Sequence, residues 1–181
     1  VRGPHVLGHE AAGVVIDHGT DARRHRTGVR VSIEPGVPCF TCRLCRRGRP
    51  NLCPDVRFLG TPPVDGALCE YLHVHEDFAH PVPDDLSEEA AALLEPLSVA
   101  LWSVRKARVS PGDRVLVTGA GPVGLLVAQV ARVYGAAEVV VTDIRPERLV
   151  VAANLGATAT LAGGGNGGAG LAEHGLEVDV L

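Results

Sequence analysis

The glycine-rich stretch Gly119–Gly124, which reads GAGPVG, constrains the fold of this chain more than any other feature. The apolar run 114–118 before it is typical of a buried strand, and the residues 122–134 after it are typical of a helix. An acidic residue, Asp143, follows at the end of the next apolar run. This order of strand, glycine turn, helix, strand and acid is the pattern of a dinucleotide-binding βαβ unit. The second half of the chain is therefore predicted to be an α/β domain with a parallel sheet.

The glycines of this turn would let the backbone approach a pyrophosphate at the N-terminus of the following helix. They are Gly119, Gly121 and Gly124. Asp143 would accept hydrogen bonds from a ribose and repel a 2′-phosphate, which predicts NAD rather than NADP as the cofactor. A tight strand-to-helix turn without a ligand is the alternative. Arg145 could hold a 2′-phosphate, with a solvated loop arginine as the alternative at that position.

Further elements are expected on both sides of this unit. In the second half we expect a helix over 146–155, strands over 158–161 and 177–181, and a glycine-rich loop over 163–170. The first half has short alternating runs that predict strands over 11–16, 29–33, 67–74 and 78–82. A helix is expected over 88–94 and another over 97–107, with a break at Glu95 because Pro96 disfavours helical backbone there. The predicted domains are a β-rich domain over 1–97 and an α/β domain over 98–181.

Four cysteines cluster in the β-rich half with the spacing C-x2-C-x2-C-x7-C. They are Cys39, Cys42, Cys45 and Cys53. Four thiolates in one short loop can close a tetrahedral zinc site. An iron–sulfur cluster is the rival, although that motif needs a shorter last spacing. Two disulfides are a further alternative, and the lone Cys69 is expected to be a buried thiol.

Composition excludes several classes of function. Charged residues make up 21% of the chain, the net charge is −4 and aromatic residues make up 3%. Neither a basic surface for nucleic acid nor an aromatic platform for bases is expected. No apolar run approaches the length of a membrane span. We therefore expect no nucleic-acid or membrane partner, and since nothing in the sequence suggests secretion we expect a cytoplasmic protein.

The pair His9-Glu10 could present an imidazole and a carboxylate to a metal ion. Its surroundings follow the pattern G-H-E-x2-G-x5-G-x2-A, from Gly8 to Ala22. With the cysteine lobe and the dinucleotide turn in this order, the chain resembles the zinc-containing alcohol dehydrogenases of the medium-chain dehydrogenase/reductase family. Within that family it is most similar to sorbitol and other polyol dehydrogenases, on Phe58, the segment 61–66 (TPPVDG) and the segment 94–99 (LEPLSV).

The resemblance implies a fold and a set of roles. The fold would be a partial GroES-like catalytic domain followed by a partial Rossmann domain, a doubly wound parallel sheet. His9, Glu10 and Glu95 would serve a catalytic zinc, with Glu95 at the position where simple alcohol dehydrogenases place a cysteine. The four clustered cysteines would hold a structural zinc. Asp143 and Arg148 would face the adenosine ribose, and Val123 would lie near the nicotinamide.

The implied activity is hydride transfer from a secondary alcohol of a polyol, such as sorbitol or xylitol, to NAD. The alternatives are a plain alcohol or butanediol dehydrogenase, and a non-catalytic protein that binds zinc and nucleotide. Family members also carry a catalytic cysteine upstream of the His-Glu motif and further strands downstream. The resemblance therefore implies an internal fragment that is inactive alone and forms a homo-oligomer when full length.

Overall fold

A computed structural model describes residues 3–163 and 177–181 of the chain. It divides into two compact units, Val1–Glu95 and Pro96–Leu181, close to the boundary expected after residue 97. Within the described residues, every helix falls short of the length and apolarity that a membrane-spanning helix requires.

Short antiparallel strands build the first unit. They are β1 (Ala12–Val14), β2 (Arg30–Ile33), β3 (Gly36–Val37), β4 (Arg57–Phe58) and β5 (Ala79–Pro81). β2 lies at the centre of a three-stranded sheet between β1 and β5, and β3 pairs with β4. Val31 and Ile33 of β2 are buried and pack with Ala79 of β5, because alternate side chains of a strand share one face.

The strand expected over 67–74 is not formed. The amides of Ala67 and Leu68 do donate to the carbonyls of Gly8 and Leu7, respectively. The next amide, that of Cys69, donates back to the carbonyl of Ala67 at 2.9 Å. This three-residue turn directs the chain away from the segment of Leu7 and Gly8. The backbone pairing therefore stops, although the alternation of side chains continues in the sequence.

Three α-helices occur between residues 43 and 107. They are α1 (Arg43–Arg46), α2 (Glu88–Ala92) and α3 (Leu94–Ala107). The side chain of Ser87 caps α2 by accepting the amide of Ala90. The break expected at Glu95 falls at Leu93 instead, and Pro96 occupies the first turn of α3. Proline is tolerated there because the first amides of a helix have no partner within it.

The second unit is a parallel sheet with helices between its strands. Its elements are β6 (Arg114–Thr118), α4 (Pro122–Val133), β7 (Glu138–Asp143), α5 (Pro146–Asn154) and β8 (Ala159–Ala162). The strand order is β6-β7-β8, and both pairs are parallel. The strand expected over 177–181 is reduced to one parallel bridge between Val180 and Val115. Residues 164–170 of the expected glycine-rich loop lie outside the described residues.

β7 forms the centre of this unit's core. Val139 and Val141 are fully buried and lie in one cluster with Ala128 and Ala131 of α4. The carboxyl ends of parallel strands share one edge of a sheet, so the turn after β6 meets the end of β7. The amide of Gly119 accordingly donates to the carbonyl of Thr142 at 2.7 Å. The predicted fold class, a β-rich half followed by an α/β half with a parallel sheet, is confirmed.

Candidate metal and dinucleotide sites

The four clustered cysteine thiols converge in one loop of the first unit. The sulfur atoms of Cys39, Cys42, Cys45 and Cys53 all lie within 4.8 Å of one another. A zinc ion at about 2.3 Å from four thiolates would separate the sulfurs by about 3.8 Å. The sulfurs of Cys42 and Cys45 are 3.4 Å apart. The set therefore fits tetrahedral zinc with small adjustments of the side chains.

Short local elements direct backbone amides at these sulfurs. Cys42 is the N-cap of α1, and its sulfur accepts the amide of Cys45 at 3.4 Å. The amide of Cys42 donates to the sulfur of Cys39 at 3.3 Å. The amide of Cys39 donates to the sulfur of Cys53, also at 3.3 Å. Such bonds favour the thiolate, which is the form that binds metal.

The clustered thiols differ in how readily they ionise. Hydrogen bonds from the hydroxyl and the amide of Thr41 lower the pKa of Cys39 to about 6. Burial raises the pKa of Cys45 to about 12, and the neighbouring thiols of Cys42 and Cys53 add to this rise. Cys39 is therefore a thiolate at neutral pH that can capture a cation. The charge of a captured cation then favours ionisation of the other thiols.

All five cysteines are free thiols, so the two-disulfide alternative is wrong. Cys69 lies outside the cluster and is exposed, which also corrects the expectation of a buried thiol. Its sulfur lies 3.1 Å from the carbonyl oxygen of Tyr71. Turn formation at Cys69, described above, places this residue at the surface rather than in a strand.

A second group of possible ligands combines His9 and Glu10, which precede β1, with Glu95 in the first turn of α3. One ligand atom from each lies within 4.8 Å of the others. His9 and Glu95 are half-buried, whereas Glu10 is exposed. Three protein ligands that leave a further position open are the arrangement of a catalytic zinc site. The structure thus brings together three residues that the sequence analysis assigned to one metal.

The imidazole of His9 is oriented by an aromatic neighbour. Its ring centroid lies 5.2 Å from that of Phe58 on β4, with an interplanar angle of 65°. This edge-to-face contact restricts rotation of the imidazole beside the two carboxylates. Phe58 is one of the residues on which the resemblance to polyol dehydrogenases rests, and here it has a positioning contact with a candidate ligand.

Two glycines hold the backbone that carries His9. A Cβ atom at Gly66 would overlap the carbonyl groups of Leu7 and Gly8. A Cβ atom at Gly60 would lie 2.8 Å from the carbonyl oxygen of Gly8. Any side chain at these two positions would push on the residues that precede His9. We call this pair of contacts the glycine clasp.

The electrostatic environment of Glu95 favours a bound cation. Burial raises the pKa of Glu95, and the nearby carboxylate of Glu10 raises it further, while His9 acts in the opposite direction. A cation held between the two carboxylates would remove their repulsion and offset the cost of burying Glu95. The donor set, one imidazole and two carboxylates, is one that zinc accepts.

Sequence reasoning missed two polar contacts in this unit. The side chain of His5 is 9% exposed, and its Nδ1 lies 2.9 Å from a carboxylate oxygen of Asp65. One carboxylate oxygen of Glu76 accepts the amides of Arg23 and Arg24 at 2.8 and 2.6 Å. Both contacts join segments far apart in the chain, so no local sequence pattern predicts them.

The dinucleotide turn has the geometry that its glycines predict. Gly119 has a φ of 98°, a conformation that favours glycine. A Cβ atom at Gly124 would overlap the carbonyl oxygen of Gly119, so the third glycine permits close packing of helix against turn. Gly121 is the N-cap of α4, and no side-chain hydrogen bond caps this helix. A Cβ atom at Gly121 would meet nothing within 4 Å, so the residue faces open space. The first amides of α4 can therefore face an anionic ligand.

Asp143 lies at this turn and is 7% exposed. One of its oxygens accepts the amide of Ala120 at 2.7 Å, and the other accepts the amide of Arg145 at 2.9 Å. A guanidinium nitrogen of Arg148 lies 3.7 Å away. The amides of Arg145 and Ala120, with a smaller effect of Arg148, lower the pKa of Asp143. The carboxylate is thus ionised and held beside the glycine turn, while Val123 at the start of α4 is 42% exposed.

Comparison with known proteins identifies two domains along the chain. The alcohol dehydrogenase GroES-like domain matches residues 1–84, and the zinc-binding dehydrogenase domain matches residues 122–173. Sorbitol dehydrogenase of Bacillus subtilis (strain 168) is 46% identical over 158 residues, covering 87% of this chain and 45% of that protein. D-xylulose reductase A of Aspergillus oryzae (strain RIB 40) is 45% identical over 159 residues, covering 88% and 44%.

A solved structure shows the same arrangement of elements. A short chain alcohol dehydrogenase from Escherichia coli CFT073, complexed with the cofactor NADH, is 34% identical with a TM-score of 0.89. The match covers 97% of this chain and 52% of that one. The chain spans about half the length of the curated relatives it matches. With both domains matched in order, the chain belongs to the zinc-dependent alcohol dehydrogenase family of medium-chain dehydrogenases.

Proposed function

We propose that this chain supplies the zinc sites and the first part of the dinucleotide fold of a polyol dehydrogenase. The reaction is oxidation of a secondary alcohol, in a polyol of the sorbitol or xylitol class, with NAD as the hydride acceptor. The convergence of His9, Glu10 and Glu95 carries this proposal. Relatives named for a polyol and for a ketose support it, and they favour it over a plain alcohol dehydrogenase.

The three residues have distinct tasks in this proposal. A zinc ion supplies Lewis acidity to the alcohol oxygen when it is bound. His9, oriented by Phe58, contributes a neutral nitrogen ligand. Glu10 and Glu95 contribute carboxylate oxygens, and the carboxylate of Glu95 can also accept a hydrogen bond from a neighbouring hydroxyl of a polyol. A cysteine at that position would offer no comparable acceptor.

The dinucleotide residues divide into three groups. The turn formed by Gly119, Gly121 and Gly124 would receive the pyrophosphate, because it leaves open space at the first amides of α4. Asp143 and Arg148 would face the adenosine ribose. Val123, exposed at the start of α4, would lie toward the nicotinamide. NAD supplies the hydride acceptor, and these residues set where it lies.

The cysteine cluster would hold a second, structural zinc. Its members are Cys39, Cys42, Cys45 and Cys53. Four protein ligands would fill the tetrahedral coordination of this zinc and leave no position for substrate. The ion would therefore stabilise the loop rather than take part in the reaction. A cytoplasmic location is part of this proposal. A homo-oligomer and the lack of nucleic-acid and membrane partners stay predictions.

A chimera tests the proposed activity. Residues 1–181 would replace the matching segment of Bacillus subtilis sorbitol dehydrogenase, with which they share 46% identity over 158 residues. We expect zinc-dependent oxidation of sorbitol or xylitol with NAD. The chimera with His9→Ala should have no turnover because a metal ligand is lost. The 181-residue chain alone is expected to be inactive.

Other outcomes would lead to different conclusions. A chimera that oxidises ethanol or butanediol and ignores polyols would favour a plain alcohol dehydrogenase. A folded chimera that binds zinc and NAD without oxidising any alcohol would favour a non-catalytic remnant. Glu95→Cys in the active chimera should keep zinc and shift preference from polyols toward simple alcohols. An unchanged ratio of the two activities would remove Glu95 from the substrate site.

A further inference from the structure

Four charged side chains follow one another where β7 ends and α5 begins. They are Asp143, Arg145, Glu147 and Arg148. This end of the second strand is where a dinucleotide-binding fold meets the adenosine ribose, and where an arginine receives the 2′-phosphate of NADP. The two carboxylates and two guanidinium groups are paired with each other in the structure.

Each arginine is engaged by a different carboxylate. Arg148 lies 3.7 Å from Asp143. The Nε atom of Arg145 donates to a carboxylate oxygen of Glu147 at 2.6 Å, and its Nη2 atom contacts the same oxygen. Both side chains of the second pair are about half exposed, at 54% for Arg145 and 59% for Glu147. They therefore stand at the rim of the site, within reach of a ligand.

The proposal that follows rests on the proposed NAD-dependent function. We propose that Glu147 is a second determinant of cofactor choice, which acts by engaging Arg145 and so denying the 2′-phosphate of NADP a cationic partner. Asp143 repels that phosphate directly, whereas Glu147 acts through the arginine. Glu147 is thus a specificity-determining residue with no contact required to NAD itself.

The chemistry of arginine explains why this pairing matters. Arginine binds phosphate best with two N–H groups in parallel, and the Nε and Nη2 atoms of Arg145 form such a pair of donors. These are the two atoms directed at Glu147. A 2′-phosphate would have to displace Glu147 and then remain beside its negative charge. The backbone amide of Glu147 and the side chain of Arg145 lower the pKa of Glu147, so its charge persists across the neutral range.

Calorimetric titration of the 181-residue chain with NAD and with NADP measures this effect. Glu147→Gln should raise the NADP:NAD affinity ratio by about three- to tenfold, the size expected for one charge near a phosphate at moderate salt. Glu138→Gln is the matched control, because Glu138 is an exposed glutamate at the start of β7, whereas Glu147 follows the end of that strand. It should leave the ratio unchanged.

Removing Arg145 separates pairing from simple repulsion. In the unsubstituted background, Arg145→Gln should change the ratio by less than about twofold, because the arginine is already engaged. In the Glu147→Gln background, the same change should abolish the gain in the ratio. An unchanged ratio in Glu147→Gln, or a gain that persists without Arg145, would overturn the proposal.

The same titrations distinguish this proposal from the one it rests on. A chain that binds neither dinucleotide would overturn both the dinucleotide site and the role of Glu147. A chain that binds NAD, with a ratio insensitive to Glu147, would overturn the role of Glu147 alone. Binding of both cofactors is read directly as heat, so no step depends on turnover.

Discussion

Alanine at Gly121 and at Gly124 should separate two demands on the dinucleotide turn. A Cβ atom at Gly124 would overlap the carbonyl oxygen of Gly119, so the turn and α4 must move apart. Overpacking of this kind typically costs about 1–3 kcal/mol. In a unit of this size we expect the Tm of Gly124→Ala to fall by about 10 °C. The loss of packing would be present whether or not a ligand is bound.

Gly121→Ala should have the opposite profile. Gly121 has a φ of −76° and a ψ of 177°, which alanine adopts without strain, and its Cβ would meet nothing within 4 Å. Alanine lowers the conformational entropy of the unfolded chain, which stabilises the fold, but it is a weaker N-cap than glycine. These two effects oppose each other, so stability should change by less than about 1 kcal/mol. The new methyl group would stand where a pyrophosphate approaches. NAD affinity should fall at least about tenfold, or about 1.4 kcal/mol.

Thermal unfolding and calorimetric titration of the 181-residue chain check both halves of this prediction. The two variants act as controls for each other, because each adds one methyl group to the same turn. If Gly121→Ala binds NAD as tightly as the unsubstituted chain, the pyrophosphate does not occupy the open space at Gly121. If Gly124→Ala keeps its Tm, the close packing between turn and helix is not stabilising.

Three further changes have defined outcomes. Cys42→Ser should remove about one zinc ion per chain by elemental analysis, whereas Cys69→Ser, outside the cluster, should retain it; equal zinc in both would contradict the cysteine site. Backbone amides lower the pKa of Glu76, so its carboxylate stabilises the fold above pH 4.5 and the contribution is lost as pH falls through the lowered pKa. Glu76→Gln should therefore lower Tm at pH 7 and flatten the acid side of the Tm–pH curve; parallel curves would refute this. Val141→Ala, at a site with 0% exposure, should cost about 2 kcal/mol in urea unfolding, and a loss below about 0.5 kcal/mol would argue against a tightly packed β7.

The second unit was predictable because its signals are local. Continuous apolar runs mark strands buried on both faces, as at Val139 and Val140, and proline and glycine mark the ends of α4. Each element here is formed mainly by residues close together in the sequence. The strand expected over 177–181 is an exception, since its pairing depends on a distant partner and amounts to one bridge at Val180.

The first unit was predicted less well because distant backbone contacts decide its course. Alternating residues over 67–74 predict a strand, yet the amide of Cys69 turns back to Ala67. The break before α3 depends on where Pro96 can be accommodated, and the first turn of the helix accommodates it. Side-chain patterns do not carry this information, since the deciding groups are carbonyls and amides of other segments.

The candidate sites show the same division. Local spacing alone predicts the cysteine cluster, whereas the meeting of His9 with Glu95 was anticipated only through the family resemblance. The pairing of Arg145 with Glu147 was invisible in the sequence because it depends on side-chain conformation. Residues that assemble across long stretches of chain need either a structure or a known relative to be found.

Redesign of the candidate metal site would have to leave the glycine clasp unchanged. Gly60 and Gly66 pack directly against the backbone that precedes His9, so the position of this backbone does not depend on surrounding side chains, whereas Phe58 orients the imidazole itself. A substitution library can therefore vary neighbours such as Leu68, which is 75% exposed and can move aside, without displacing the ligand. The two glycines should be held constant, because even alanine there would push on Leu7 and Gly8 and so shift the imidazole of His9.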